Sequence, residues 1–435
     1  MTGTTLSFDG MPYVPGVAQG ILQQGLQGDP SGRIVMLESP PGPMPHLRAG
    51  IVMVDAAPIS HAMIPLLGSG VPVVIVTRAQ AAAMPAGRAV RLDGGSGRIM
   101  LAEGLGESPP LTVPAAPAAV LPVCTADGVP VMLRASVRDR HAVQRAVELG
   151  AEAIGLVRSE YLEPADGRMP DAAFYRAAFG GLCQAAGGRP VTIRLIDIAA
   201  DKRPAWLSAS SGAGGALGRQ GVRLYDEEPL ASLCRAQLEA IAALADGCRL
   251  RVLLPYVSDA GELEHWLGVL RGALPRGIPL GAMAETPAAV LQLHAWCELA
   301  DFVAVGCNDL MQCLFGADRD RPGLRRYLDP HAPVLYRFLG EVAGQAGRER
   351  LERVQLCGVL PQLPGVLPVL VGLGFRAFSV EPAQLPWLGE TVANTRLAEA
   401  VALAARVCRA DSSAGVRALL QEDGPAPADR AGGRA

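Results

Sequence analysis

The chain has 435 residues, half of them hydrophobic and only 4% aromatic, which allows two or three domains with cores filled by Ala, Leu and Val. Its 39 basic and 42 acidic residues are spread along the chain and leave a net charge of −3, so there is no electrostatic case for nucleic acid or an anionic membrane as partner. Nine cysteines form no CxxC pair and no metal-spaced set, and no segment has membrane-spanning length free of proline and charge, so reduced thiols in a soluble cytoplasmic protein are expected.

Residues 1–105 consist of short apolar runs broken by glycine. Val14 to Gly20 reads as a turn and a strand, Ala49 to Asp55 as a buried strand, and Val71 to Val76 as another. Between the last two lies Ile59-Ser60-His61-Ala62-Met63-Ile64, and Val90 to Met100 predicts a hairpin. The sum is a small mixed α/β domain. Residues 106–122 carry proline at short intervals, which predicts an extended, semi-stiff linker.

From residue 123 the pattern becomes strand then helix, repeatedly. The strand candidates are Val129–Ser136, Ala153–Arg158, Val191–Asp197, Arg249–Val257, Ile278–Glu285, Asp301–Gly306, Arg353–Gly358 and Ala377–Glu381. Ala- and Leu-rich stretches at helical period separate most of them, such as Val137–Leu149 and Pro287–Ala300. Eight such units indicate a (β/α)8 TIM barrel over 123–409, although periodicity alone leaves seven or nine units open. Residues 410–435 lack sustained apolar periodicity and are expected to form a disordered tail.

Polar residues collect at the predicted C-terminal strand ends, the face where barrel enzymes keep their active sites. Arg158 ends the second strand; Arg194 lies in the third, with Asp197 and Lys202 at its end and just beyond; Glu285 ends the fifth. Asn308 and Asp309 follow the sixth, Cys357 lies near the end of the seventh, and Arg319 comes about three helical turns after Asn308. Charges on buried strands are costly unless paired or bound, so one charged mouth accounts for them together. Glu285 and Asp309 suit a Mg2+ ion that keeps waters and takes substrate oxygens. Arg158, Arg194, Arg319 and Lys202 form a cationic set for phosphate and carboxylate, and Cys357 could donate a proton. The competing readings are a helix cap for Asn308 and Asp309, rim ion pairs for the charges, and an inert buried thiol for Cys357.

Specific stretches resemble a known family. These are Ile154 to Leu162, Ile193 to Lys202, Ala216-Leu217-Gly218, Gly221 to Leu224, Gly281 to Ala289, Val305 to Gln312 and Leu356-Cys357-Gly358. In this order they resemble the phosphoenolpyruvate-utilising enzymes, most nearly the enzyme I group of the bacterial sugar phosphotransferase system. Ser60-His61-Ala62 is similar to that family's phosphohistidine motif. The resemblance implies phosphoenolpyruvate at the barrel mouth, Mg2+ on Glu285 and Asp309, and charge neutralisation by Arg158, Arg194 and Arg319, with Asn308 positioning substrate. His61 would take the phosphoryl group, Cys357 would protonate the enolate of pyruvate, and residues 1–105 would be a phosphohistidine domain that swivels on the 106–122 linker. A homodimer through the barrel is a further family expectation.

The chain also departs from the family. The stretch between Gly20 and Ile51 is too short for the helical insertion that docks the phosphocarrier protein HPr, which leaves the phosphoryl acceptor unknown. Around the histidine, Ala56-Ala57 stand for Gly-Gly, Ile59 for Thr and Leu67 for Arg. At the barrel, Gln220 replaces an active-site arginine with Arg219 one position early, Val359 replaces Glu, and Cys307 replaces Thr. These changes support a second reading, a catalytically degenerate sensor or partner protein that binds phosphoenolpyruvate or pyruvate.

Overall fold

Two kinds of apolar sequence build two kinds of sheet. The computed structural model describes residues 6–26, 32–40, 50–102, 122–198, 204, 206–207 and 218–422. The first sheet contains β1 (Leu6–Asp9), β2 (Met11–Val14), β3 (Val17–Gln24), β4 (Arg33–Leu37), β5 (Ile51–Val54), β6 (Val73–Val76), β7 (Ala89–Asp93) and β8 (Arg98–Ala102). Its order is β1-β8-β7-β3-β4-β5-β6-β2, with β3 to β6 parallel and the outer pairings antiparallel. Along β3, Ala18 and Leu22 are buried while Ile21 is exposed, the alternation of a half-covered strand.

The second sheet is a closed barrel. A short β9 (Val123–Cys124) pairs antiparallel with β10 (Pro130–Val137). Seven further strands follow: β11 (Ile154–Arg158), β12 (Val191–Arg194), β13 (Leu250–Val257), β14 (Leu280–Ala284), β15 (Phe302–Gly306), β16 (Val354–Cys357) and β17 (Ala377–Val380). Neighbours from β10 to β17 are parallel, and β10 pairs with both β11 and β17 to close the ring. All eight expected strands are present, the third ending at Arg194 rather than Asp197. Strands buried on both faces read as continuous apolar runs, which is why their sequence was recognisable. Several barrel helices start on an aspartate: Asp139, Asp171 and Asp259 each accept a backbone N–H three residues on, satisfying an otherwise orphaned donor.

The expected disordered tail needs correction over residues 410–422; the rest of it, 423–435, lies outside the described residues. A helix spans Ser413–Glu422 and buries Val416 and Leu420, which lie four residues apart on one face. Arg417 reaches Asp329 at 2.9 Å, and Leu420 packs so closely on Gly365 that a Cβ there would sit 2.9 Å from the leucine's Cβ. The proposed linker, apart from Pro122, and Lys202 lie outside the described residues.

The two sheets share a core. Ile51 and Met53 of β5, with Tyr13, Ile59, Leu66 and Leu67, belong to the buried cluster that continues into the barrel. Val52 and Val54 point the other way, into a separate cluster with Leu22, Ile34 and Leu92. The contact is also polar: Gln384 Nε2 donates to Leu67 O at 2.8 Å, and the Arg325 guanidinium donates to Asp55 O. The first sheet therefore sits against one end of the barrel and carries His61 with it.

Candidate active site

β15 ends at Gly306, and a helix, Cys307–Phe315, begins at once, so Asn308 and Asp309 occupy its first turn. Gly306 is required there, because a Cβ would lie 2.5 Å from Glu285 Oε1. The helix stops at Gly316, in left-handed geometry with φ 59°, and the following loop returns Arg319 to the mouth, almost fully buried. One cavity is lined by Arg158, Arg194, Glu285, Asn308, Asp309, Arg319 and Cys357, together with His61 from the other domain. The structure thus brings together every expected site residue among those it describes.

The cations do different work. Arg194 Nη2 lies 2.5 Å from Glu160 Oε1 and Nη1 2.8 Å from Asp197 Oδ2, all three groups being largely or wholly buried. Burial disfavours its charge, but Asp197, Glu160, Glu285 and Asp309 outweigh that and push its pKa above the usual arginine value. Arg158, at the end of β11, is only partly buried, and its side chain makes no hydrogen bond or ion pair among the described residues. Arg319 Nη2 stands 3.2 Å from Asp309 Oδ2, and its backbone N–H donates to Gln312 Oε1 at 3.0 Å.

Three residues that sequence patterns did not single out hold this constellation. Tyr256 adopts φ 52°, unusual for a side-chain-bearing residue, beside a register shift in β13. Its backbone N–H donates to Glu285 Oε2 at 3.0 Å. Gln355, buried in β16, donates to Gly155 O at 2.9 Å and approaches Cys357 Sγ at 3.5 Å. Asp320 contacts His61. A polar residue in an otherwise apolar strand was a visible signal for Gln355; the other two had none.

Asn308 Oδ1 accepts the Val359 N–H at 2.9 Å, which leaves the amide NH2 as the end that can donate to a ligand oxygen. Gly358, at φ 100°, makes this turn possible; a Cβ would lie 2.7 Å from Asn308 Oδ1. Burial, and then the nearby Glu285 carboxylate, push the Cys357 thiol up to about 12, against the opposing charge of Arg158. The group is therefore a protonated thiol at neutral pH, a donor rather than a nucleophile.

Glu285 is almost fully buried. Burial, then Asp309 and Asp197, push its carboxyl up to about 8, with Arg194 opposing. A buried acid crowded by other carboxylates is a position that wants a cation. Glu285 and Asp309 are hard oxygen donors, and among the described residues no group of three or more His, Cys, Asp or Glu assembles as a metal cage. Two carboxylates plus waters and ligand oxygens fit Mg2+, not a tetrahedral zinc site.

His61 arrives from the turn before the helix Ile64–Leu67. Its ring Nδ1 lies 2.7 Å from Asp320 Oδ2 and its Nε2 2.7 Å from Arg319 Nη2, while its backbone N–H donates to Asp320 Oδ1 at 3.0 Å. The departures around it are packing residues. Ile59 and Leu67 are fully buried in the shared core, and Ala57 is buried beneath the turn, where its carbonyl accepts from Ser60 Oγ at 2.9 Å. At the barrel, Arg219 does not replace the missing cation, because it pairs with Glu227 at a half-exposed position. Gln220 lines the cavity, with its Nε2 unpartnered among the described residues.

A family model described as "PEP-utilising enzyme, PEP-binding domain" matches residues 115–397. Among curated proteins, the phosphoenolpyruvate-protein phosphotransferase of Streptomyces coelicolor is 32% identical over 386 residues, covering 87% of this chain and 68% of that protein. That of Haloferax volcanii is 30% identical over 393 residues, covering 87% and 69%. The multiphosphoryl transfer protein of Xanthomonas campestris is 29% identical over 393 residues, covering 87% of this chain and 46% of its own length. The chain thus spans about two thirds of the first two relatives and less than half of the third.

Proposed function

The chain belongs to the family of PEP-utilising enzymes, and we propose that it transfers the phosphoryl group of phosphoenolpyruvate to its own His61, releasing pyruvate, with onward transfer to a further acceptor protein. The observation that carries this reading is the position of His61 Nε2, 2.7 Å from a guanidinium nitrogen of Arg319 inside a mouth that also holds Glu285 and Asp309. An acceptor nitrogen, a cationic clamp and a carboxylate pair meet in one cavity although they are far apart in sequence.

Phosphoryl transfer is mainly a matter of positioning and of neutralising charge spread over the equatorial oxygens. Arg158, which has no internal partner among the described residues, and Arg319 bind those oxygens. Arg194 is held by Glu160 and Asp197 and presents a fixed positive field. Asn308 donates its amide NH2 to the ligand. Mg2+ on Glu285 and Asp309 would supply further neutralisation of the substrate oxygens. The Nε2 lone pair of His61 attacks phosphorus, and the electron pair of the breaking P–O bond leaves with the enolate. The Cys357 thiol gives that enolate its proton and regains one from water. The swivelling motion of the 1–105 domain on the 106–122 linker, a homodimer and a cytoplasmic location belong to the same reading.

Incubation with labelled phosphoenolpyruvate and Mg2+ tests it. Acid-labile label is expected on the protein and is expected to vanish in His61→Ala. A second reading, a ligand-binding protein without turnover, is favoured by the neutral Gln220 in the cavity and the buried Ile59 and Leu67. It predicts a rise in melting temperature with phosphoenolpyruvate but no label.

A further inference from the structure

Asp320 closes a set of contacts around His61 that constrains which ring nitrogen carries the proton. One carboxylate oxygen accepts the His61 backbone N–H at 3.0 Å, and the other stands 2.7 Å from ring Nδ1. An ionised carboxylate only accepts, so a hydrogen bond at that distance needs the proton on Nδ1. The opposite nitrogen, Nε2, is 2.7 Å from Arg319 Nη2, and a guanidinium only donates. A proton on Nε2 would face another N–H at hydrogen-bond distance. The two sides therefore demand the same tautomer, through independent chemistry.

We infer that Asp320 is a positioning residue for His61: it holds the ring with the proton on Nδ1 and the Nε2 lone pair toward the barrel mouth, and it stabilises the positive charge that the ring acquires as the Nε2–P bond forms. The inference rests on the reading of His61 as phosphoryl acceptor. In that step the lone pair of Nε2 becomes the new N–P bond while the P–O bond to the enol oxygen breaks. The ring keeps its Nδ1 proton and becomes cationic beside a carboxylate. Burial alone would raise the Asp320 carboxyl, yet the His61 ring and backbone N–H and the Arg319 charge hold it below its ordinary range, so it is ionised at neutral pH. The carboxylate also accounts for how this histidine loop works with Ile59 and Leu67 at polar positions of the family pattern: its polar support comes from the barrel loop instead.

Two measurements on the full chain decide it. In 15N-histidine-labelled protein, with His61 identified by the signal lost in His61→Ala, the wild type is expected to show a protonated Nδ1 and a bare Nε2. Asp320→Ala is expected to shift the ring toward a tautomer mixture. A protonated Nε2 in the wild type, or an unchanged His61 spectrum in Asp320→Ala, overturns the inference. In the labelling assay, Asp320→Asn is expected to slow phosphorylation of His61 by at least about 10-fold, the lower end of what losing a partner costs a metal-bound histidine, with the concentration of phosphoenolpyruvate giving half-maximal rate little changed. Wild-type rates in Asp320→Asn count against it. If instead no label reaches wild-type His61, the phosphotransferase reading fails, while the tautomer measurement still decides the role of Asp320.

Discussion

The barrel mouth carries its own charges, whereas the loop around His61 carries almost none. In the mouth, Arg194, Glu160 and Asp197 are held by one another within the barrel, and Glu285 is fixed by the backbone N–H of Tyr256 on the neighbouring strand β13. In the loop, Ala57, Ile59 and Leu67 are buried apolar residues, and both ring nitrogens of His61 find their partners on the 319–320 segment of the barrel. The difference teaches that a transfer site can be divided unequally. On the proposed reading, one side supplies the electrostatics for both, and the other supplies the nucleophile on an apolar pad.

If that division holds, the largest effect should come from the residue both sides use. Arg319→Ala is expected to reduce labelling of His61 by at least about 10^3-fold, the scale of removing an arginine from a phosphoryl-transfer site. A loss no greater than that of an ordinary surface arginine would break the comparison.

The next test separates charges that build the mouth from charges that meet substrate. Removing Arg194 strands two buried carboxylates, so Arg194→Met should destabilise the fold by about 3–5 kcal/mol. Arg158→Ala breaks no side-chain hydrogen bond or ion pair among the described residues and should cost far less in denaturant unfolding, while slowing transfer by about 10^2–10^3-fold. Equal stability losses in the two variants would show that the distinction is false.

A smaller effect probes the apolar pad. Ile59→Thr places a hydroxyl in a fully buried position, and unfolding experiments should show a loss of about 1–3 kcal/mol without a gain in transfer rate. A faster variant would mean that the loop does lack a polar group it needs.

The smallest effect is on pH. The Asp320 carboxyl is held below its ordinary value, so its contribution to stability is present above the unfolded-state pKa of about 3.9 and is lost as pH falls through the lower folded value. The stability difference between wild type and Asp320→Asn, under about 1 kcal/mol for a partly exposed pair, should shrink as pH falls below about 4.

Most of the barrel was legible because parallel strands leave continuous apolar runs, and Glu285, Asn308 and Asp309 sit where those runs end. The cationic set was legible for a related reason: Arg158 and Arg194 close apolar strands, where a charge needs an explanation. Asp320 was not legible. It is one acid in a polar loop, Asp318-Arg319-Asp320-Arg321, and its partner lies 259 positions away in the chain. Tyr256 was hidden because a positive φ in a strand leaves no mark on side-chain patterning. The helix Ser413–Glu422 escapes sequence reading because Val416, Leu419 and Leu420 are its few apolar anchors in a stretch of Ala, Ser, Gly and charged residues, and packing on Gly365 rather than periodicity defines it.

Arg319 Nη2 has two hydrogens. That one nitrogen stands near the His61 ring and near the Asp309 carboxylate at the same time. A phosphoryl oxygen that enters between the domains and takes a hydrogen from this same nitrogen loosens one of those two attachments. Ligand affinity and the grip of one domain on the other are then reciprocal quantities, and anything that pulls the histidine away should tighten the hold of the barrel on its small anion.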